Sequence, residues 1–200
     1  GAEAVPDGAR SDEELAARIR DEIRRDGPIT FARFMDLALY DPDGGYYRSK
    51  EARPGRAGDF LTAPETHPIF GGTLSRFVDD AWRRLDRPSR FIVREHGAGE
   101  GALAISVLAA LRDAGSELLH AIRYQPVEVD PKRVAAFTYF VSDAGFGEAI
   151  EPADDRPVTG IVLANEVLDA LPVHRVVQRG AELLEVRVGV GPRRDWFDDE

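Results

Sequence analysis

Residues 90–111 read Arg90-Phe-Ile-Val-Arg-Glu-His-Gly-Ala-Gly-Glu-Gly-Ala-Leu-Ala-Ile-Ser-Val-Leu-Ala-Ala-Leu111, and the fold is decided here. Phe91, Ile92 and Val93 form an apolar, partly β-branched run of the kind that builds a buried parallel strand. Gly97, Gly99 and Gly101 then follow within five positions, and Leu103, Val107, Leu108 and Leu111 recur at helical spacing. Strand, glycine turn and helix make a unit that presents backbone N–H groups and a helix N-terminus to a ligand. A Cβ in such a turn would hold the ligand off and forbid positive φ.

Two cofactor classes use such a turn. Gly97, Gly99 and Ala102 satisfy the GxGxxA form of the dinucleotide fingerprint, which also requires an acid about 20 residues on, at the tip of the second strand. That count reaches Glu117, in a stretch that reads as helix or loop. The acid that ends an apolar strand is Glu128, in Tyr124-Gln-Pro-Val-Glu-Val129. With Glu95 leading the glycines, the pattern resembles motif I of class I S-adenosylmethionine (SAM) methyltransferases, in which the second-strand acid grips the ribose hydroxyls. A nicotinamide-dependent oxidoreductase is the competing reading.

Bulk properties narrow the field. Two hundred residues suffice for one domain, or one domain with an appended piece, and can bury a core without staples. The absence of cysteine excludes disulfides, thiolate zinc sites and a thiol nucleophile, and leads to the expectation of a cytoplasmic setting. A net charge of −10 argues against a nucleic-acid face and makes a basic protein segment the more natural partner. No apolar run has the length of a membrane span. No two histidines have metal-ligand spacing, so no metal is expected, and His67 and His96 are read as incidental.

Along the chain, residues 1–12 read as a frayed arm, with Ser11 or Asp12 capping a helix that carries Leu15, Ile19 and Ile23 and stops at Gly27-Pro28. A second helix follows, with Phe31, Phe34, Met35, Leu37 and Ala38 on one face. Residues 48–57 read as a charged loop. Thr66 caps a further helix whose core face is Phe70, Leu74, Phe77 and Val78. After the glycine turn come a strand at 124–129, a helix opened by Asp130-Pro131, a short candidate strand at 146–150 and a buried strand at 160–164. Asn165-Glu166 stand at the carboxyl end of that last strand, the edge where open α/β sheets bind ligands. Residues 173–177 and 183–190 read as a hairpin about Arg179-Gly180.

Three blocks carry a more specific likeness. Gly27-Pro-Ile-Thr-Phe31 with Phe34-Met35, Tyr40, Pro42 and Gly45-Tyr-Tyr47 is the first. Gly58-Asp-Phe60 with Thr62, Pro64-Glu65 and Phe70-Gly71 is the second, and Asn165-Glu-Val-Leu-Asp-Ala-Leu-Pro172 the third. In this order they resemble the MidA-like methyltransferase family, which includes the mitochondrial complex I assembly factor with protein arginine methyltransferase activity.

The resemblance implies an α/β fold: a class I, Rossmann-like SAM-methyltransferase sheet with an N-terminal helical cap, C-terminally shorter than the family's. The cap and a substrate and cofactor loop would occupy 1–88 and the SAM-binding domain 89–200. The cofactor would contact Asp59, Thr62, Glu95, Gly97, Gly99, Gly101, Glu128 and Asn165. An arginine in a partner protein would be the acceptor, oriented by carboxylates from Glu65, Glu166 and Asp169. A chaperone that keeps the fold without transferring methyl groups is the alternative from the binding class.

Overall fold

The computed structural model describes residues 7–47 and 68–191. The chain forms two compact units, residues 54–169 and residues 1–53 with 170–200.

The larger unit is built outward from β2 (Phe91–His96). It pairs in parallel with β3 (Ile122–Val127) on one side and β4 (Gly160–Ala164) on the other, giving the order β3-β2-β4. Helix α4 (Ala102–Asp113) connects β2 to β3, with the short α5 (Leu118–Ala121) leading in. Helix α6 (Pro131–Val141) follows β3. Because the chain leaves β2 toward β3 and later returns to its opposite side as β4, the sheet has a switch point at β2, and the carboxyl ends of the strands flank a crevice there.

Alternation along β2 sorts its residues to two faces. Phe91 and Val93 join the core formed with Val78 and Trp82 of α3 (Pro68–Arg84), Leu103, Ala104, Val107, Leu108 and Leu111 of α4, Tyr124 of β3, and Phe137 and Val141 of α6. Fully burying each large side chain is worth roughly 1.5–3 kcal/mol, so this cluster stabilises the unit. Helices α3 and α4 approach so closely that a Cβ on Gly71 would lie 1.9 Å from Ser106 Oγ. The other sheet face carries a polar ladder: Arg94 Nε donates to Gln125 Oε1 at 2.9 Å, and Gln125 Nε2 to Glu151 Oε1 at 3.0 Å.

The smaller unit packs Leu15, Ile19 and Ile23 of α1 (Asp7–Asp26) on Ile29, with Phe34, Leu37 and Val188 at the margin. Gly27, at φ +86°, ends α1 by donating its N–H to Ile23 O. Strand β1 (Ile29–Thr30) pairs antiparallel with β7 (Arg187–Val188), and Thr30 caps α2 (Phe31–Tyr40) by accepting from Arg33 N. Strands β5 (Val176–Arg179) and β6 (Glu182–Glu185) form the expected hairpin.

Several expectations are corrected. Helix α1 begins at Asp7, earlier than a cap at Ser11 or Asp12 allows. Phe77 is exposed, and the buried face of α3 runs instead through Val78 and Trp82. Residues 146–150 form no strand; a helical turn at Gly147–Ala149 leaves a lone bridge from Ile150 to Tyr124. Gly145 and Gly147 in this stretch favour turning over extension. Strand β4 is only partly covered, with Val162 exposed, because it pairs on one side alone among the described residues. Helix α3 packs with α4, and β7 pairs with β1.

Candidate functional site

Three chain segments meet at the carboxyl end of the sheet in the larger unit. The first is the turn Gly97–Gly101, where Gly97, Gly99 and Gly101 take φ values of +66°, +56° and +90°. Gly97 N–H donates to Val127 O at 2.9 Å, fastening the turn to β3. At Gly101 a Cβ would meet Val141 Cγ2 at 2.6 Å and Phe137 Cδ2 at 3.1 Å, so this glycine is required by close packing against α6. Gly99 differs: its Cβ direction meets no atom of the described residues within 4 Å. The turn is thus closed beneath and open above, a shape that lets a ligand approach the backbone.

The second segment follows β3. Glu128 is half-buried, and its Oε1 accepts the Gly99 N–H at 2.6 Å. Its Oε2 has no hydrogen bond among the described residues. Asp130 caps α6 two residues on, accepting from Lys132 N at 2.9 Å, and so fixes the path of this turn.

The third segment follows β4. Val167 brings Cγ2 within 2.8 Å of the Cβ position of Gly97, so Asn165–Val167 lie beside the glycine turn. Asn165 is half-buried, while Glu166 and Asp169 are exposed. Glu166 sits at φ +51°, a left-handed conformation uncommon for a side chain of its size.

Below the turn, Glu95 occupies the β2 position in line with Phe91 and Val93 and is 3% exposed. It accepts a hydrogen bond from the Tyr124 hydroxyl at 2.5 Å and takes part in no ion pair among the described residues. Burial pushes its carboxyl up to about 7; the Tyr124 hydrogen bond works against the rise and the charge of Glu128 adds to it. The same burial, with Glu95 beside it, pushes the Tyr124 phenol well up. Tyr124 in turn packs on Phe137, ring centroids 5.9 Å apart.

The structure therefore gathers Glu95, Gly97, Gly99, Gly101, Glu128 and Asn165 around one turn, with Glu166 adjoining. Asp59, Thr62 and Glu65 lie outside the described residues, as does His67. Tyr124 went unremarked in the sequence, although a tyrosine on the apolar face of β3, diagonal to an acid on β2, was the available signal. No group of three His, Asp or Glu residues able to hold a metal ion occurs among the described residues. Nor is any described helix long and apolar enough to cross a membrane.

Known proteins resemble this chain. A family model described as "Putative S-adenosyl-L-methionine-dependent methyltransferase" matches residues 73–199. The protein arginine methyltransferase NDUFAF7 homolog of Drosophila melanogaster, a mitochondrial protein, is 30% identical over 197 residues, covering 88% of this chain and 45% of its own. Human mitochondrial protein arginine methyltransferase NDUFAF7 is 29% identical over 195 residues, covering 86% of this chain and 44% of its own. A Burkholderia thailandensis protein solved with S-adenosyl-homocysteine bound superposes with a TM-score of 0.76 at 34% identity, over 95% of this chain and 50% of that one.

The chain thus spans about half the length of the relatives it matches. Those curated relatives are mitochondrial, which overturns the expectation of a cytoplasmic setting: a lack of cysteine speaks of thiol chemistry and carries no address. The fold is the Rossmann-like α/β fold of the neighbour solved with S-adenosyl-homocysteine. With the family model covering more than half of its residues, the chain belongs to this family of S-adenosyl-L-methionine-dependent methyltransferases.

Proposed function

We propose that the larger unit binds S-adenosylmethionine over the Gly97–Gly101 turn and that the protein transfers its methyl group to an arginine of a partner protein. The observation that carries this reading is the pairing of an open space above Gly99 with a carboxylate turned onto that same residue. Glu128 uses one oxygen to hold the turn and keeps the other for a donor, which suits vicinal ribose hydroxyls. Glu95 and Asn165 border the same turn from below and from the side.

When bound, the cofactor supplies an electrophilic methyl on a positively charged sulfur. The chain's part is to align an acceptor nitrogen with that methyl, since in an in-line displacement positioning supplies much of the rate. A guanidinium stays protonated in isolation and attacks poorly. Carboxylates that accept its N–H groups in pairs can orient one nitrogen and balance the charge. Glu166, exposed and held at positive φ beside the turn, fits that task best among the described residues, with Asp169 next along the chain. Glu65 is assigned the same task on the family resemblance alone. The arginine acceptor draws support from the names of the curated relatives and from the net charge of −10, which favours a basic partner segment.

Incubation with methyl-tritiated SAM and arginine-containing peptides, followed by acid hydrolysis and amino-acid separation, tests the proposal. Label in methylarginine supports it. Label in another residue would refute the acceptor, and a failure to bind the cofactor would refute the reading as a whole.

A further inference from the structure

Glu166 is an exposed side chain on a constrained backbone. It sits at φ +51°, in the left-handed region, at a cost that glycine would avoid. Its carboxylate makes no hydrogen bond or ion pair among the described residues, so the side chain does not hold the conformation. The constraints lie on either side. Before it, β4 keeps register with β2 up to the pair Ala164 and His96. After it, Val167 is half-buried, and its Cγ2 stands 2.8 Å from where a Cβ on Gly97 would be, in space that the glycine leaves free. Gly97 is itself fixed, its N–H donating to Val127 O at 2.9 Å. Leu168, the next apolar residue, is 74% exposed and leaves the anchoring to Val167. Asn165 and Glu166 thus span the gap between a ladder pair and a packed valine. Backbone strain of this kind persists only where the surroundings over-determine it.

We propose that Val167 is a positioning residue for methyl transfer: its contact with Gly97 holds Glu166 in the left-handed conformation and so fixes where that carboxylate stands beside the glycine turn. The inference rests on the role proposed above for Glu166 and adds the residue through which that role is exercised. Val167 acts through Glu166 and takes no part in the exchange of bonds. The chemistry has need of such a residue. A carboxylate on an unanchored loop samples many positions, and a misplacement of about 1 Å can cost about a hundredfold in rate. Valine suits the place, because its β-branched side chain is stiff and keeps the contact with little freedom to lose.

Two sets of substitutions in the full chain test this. In the first, urea unfolding compares Glu166→Ala with Glu166→Gly, each alone and each combined with Val167→Ala. With Val167 present, the glycine variant should unfold at the higher urea concentration, since alanine must bear the left-handed backbone. With Val167→Ala the backbone is released, and the gap should close or reverse. An equal gap in both backgrounds would overturn the inference, whatever the activity. In the second, methyl transfer from SAM to an arginine-containing peptide is followed for Val167→Ala, Glu166→Gln and the two together. Val167→Ala should lower kcat/KM by about tenfold or more, and should lower it no further once Glu166→Gln has removed the carboxylate. No loss in Val167→Ala, or equal losses in both backgrounds, would overturn the inference and leave the role of Glu166 standing. A wild type that methylates no arginine peptide would remove that role, and the inference with it, even with the unfolding result as expected.

Discussion

Glu128 and Gly99, twenty-nine positions apart, are joined by a 2.6 Å hydrogen bond from the Gly99 N–H to Oε1 of the carboxylate. The bond ties the end of β3 to the turn after β2 and aims an acid at the open side of the glycine turn. Removing it acts on ligand and loop together. Glu128→Ala should weaken S-adenosylhomocysteine binding by about a hundredfold or more, as expected from losing charge-assisted hydrogen bonds worth roughly 1.5–3 kcal/mol each. Calorimetry measures the affinity; a melting curve close to that of the wild type shows that the fold is kept.

Gly99 and Gly101 make a contrasting pair. Alanine at Gly101 must take φ +90° and meet Val141 and Phe137, so Gly101→Ala should lose about 3 kcal/mol or more from strain and overpacking combined. Alanine at Gly99 meets nothing among the described residues and bears the left-handed backbone, about 1–2 kcal/mol. The methyl at 99 would, however, occupy the space kept for ligand, so Gly99→Ala should fold and bind at least about tenfold more weakly. Urea unfolding and ligand titration of both variants separate the two effects.

Glu95 gives a pH dependence of definite sign. Its folded-state carboxyl is raised from 4.5 to about 7, so between those values the folded state holds a proton that the unfolded chain has lost. This contribution to stability is fully present below the unfolded value and disappears as pH rises through the folded one. The loss amounts to about 3 kcal/mol. Glu95→Gln cannot ionise and should gain on the wild type by an amount of that order between about pH 4.5 and 8. Denaturant unfolding of both proteins at the two ends of the range gives the difference; an unchanging difference would contradict the burial argued for Glu95.

Asp130 holds the start of α6 and with it the turn that carries Glu128. Asp130→Ala should cost about 1 kcal/mol of stability, the usual loss of a helix cap. It should also weaken ligand binding several-fold, because the Glu128 turn loses its fixed exit. Thermal unfolding and calorimetry on the same samples check both effects.

Much of the site could be read from spacing alone. Three glycines in five residues between an apolar strand and an apolar helix specify a turn whatever the rest of the chain does, and Asp130-Pro131 marks a helix start by local chemistry. Tertiary relations were less visible. That Phe77 faces outward while Val78 and Trp82 turn inward depends on where α4 lies, and Gly71 against Ser106 sets that. The pairing of β1 with β7 joins segments more than 150 positions apart, for which no local pattern exists. Tyr124 escaped notice because a tyrosine in a strand is ordinary; its meaning comes from the register that sets it diagonal to Glu95.

The central claim is that Glu128 and the glycine turn form the cofactor's sugar site, and a crystal structure of the protein with S-adenosylhomocysteine tests it most directly. The ribose hydroxyls should lie within hydrogen-bond distance of the Glu128 carboxylate, with the ligand crossing the open side of Gly99. A ligand seated away from Gly97–Gly101, or a ribose held by other groups with Glu128 still bonded only to Gly99, would contradict the account.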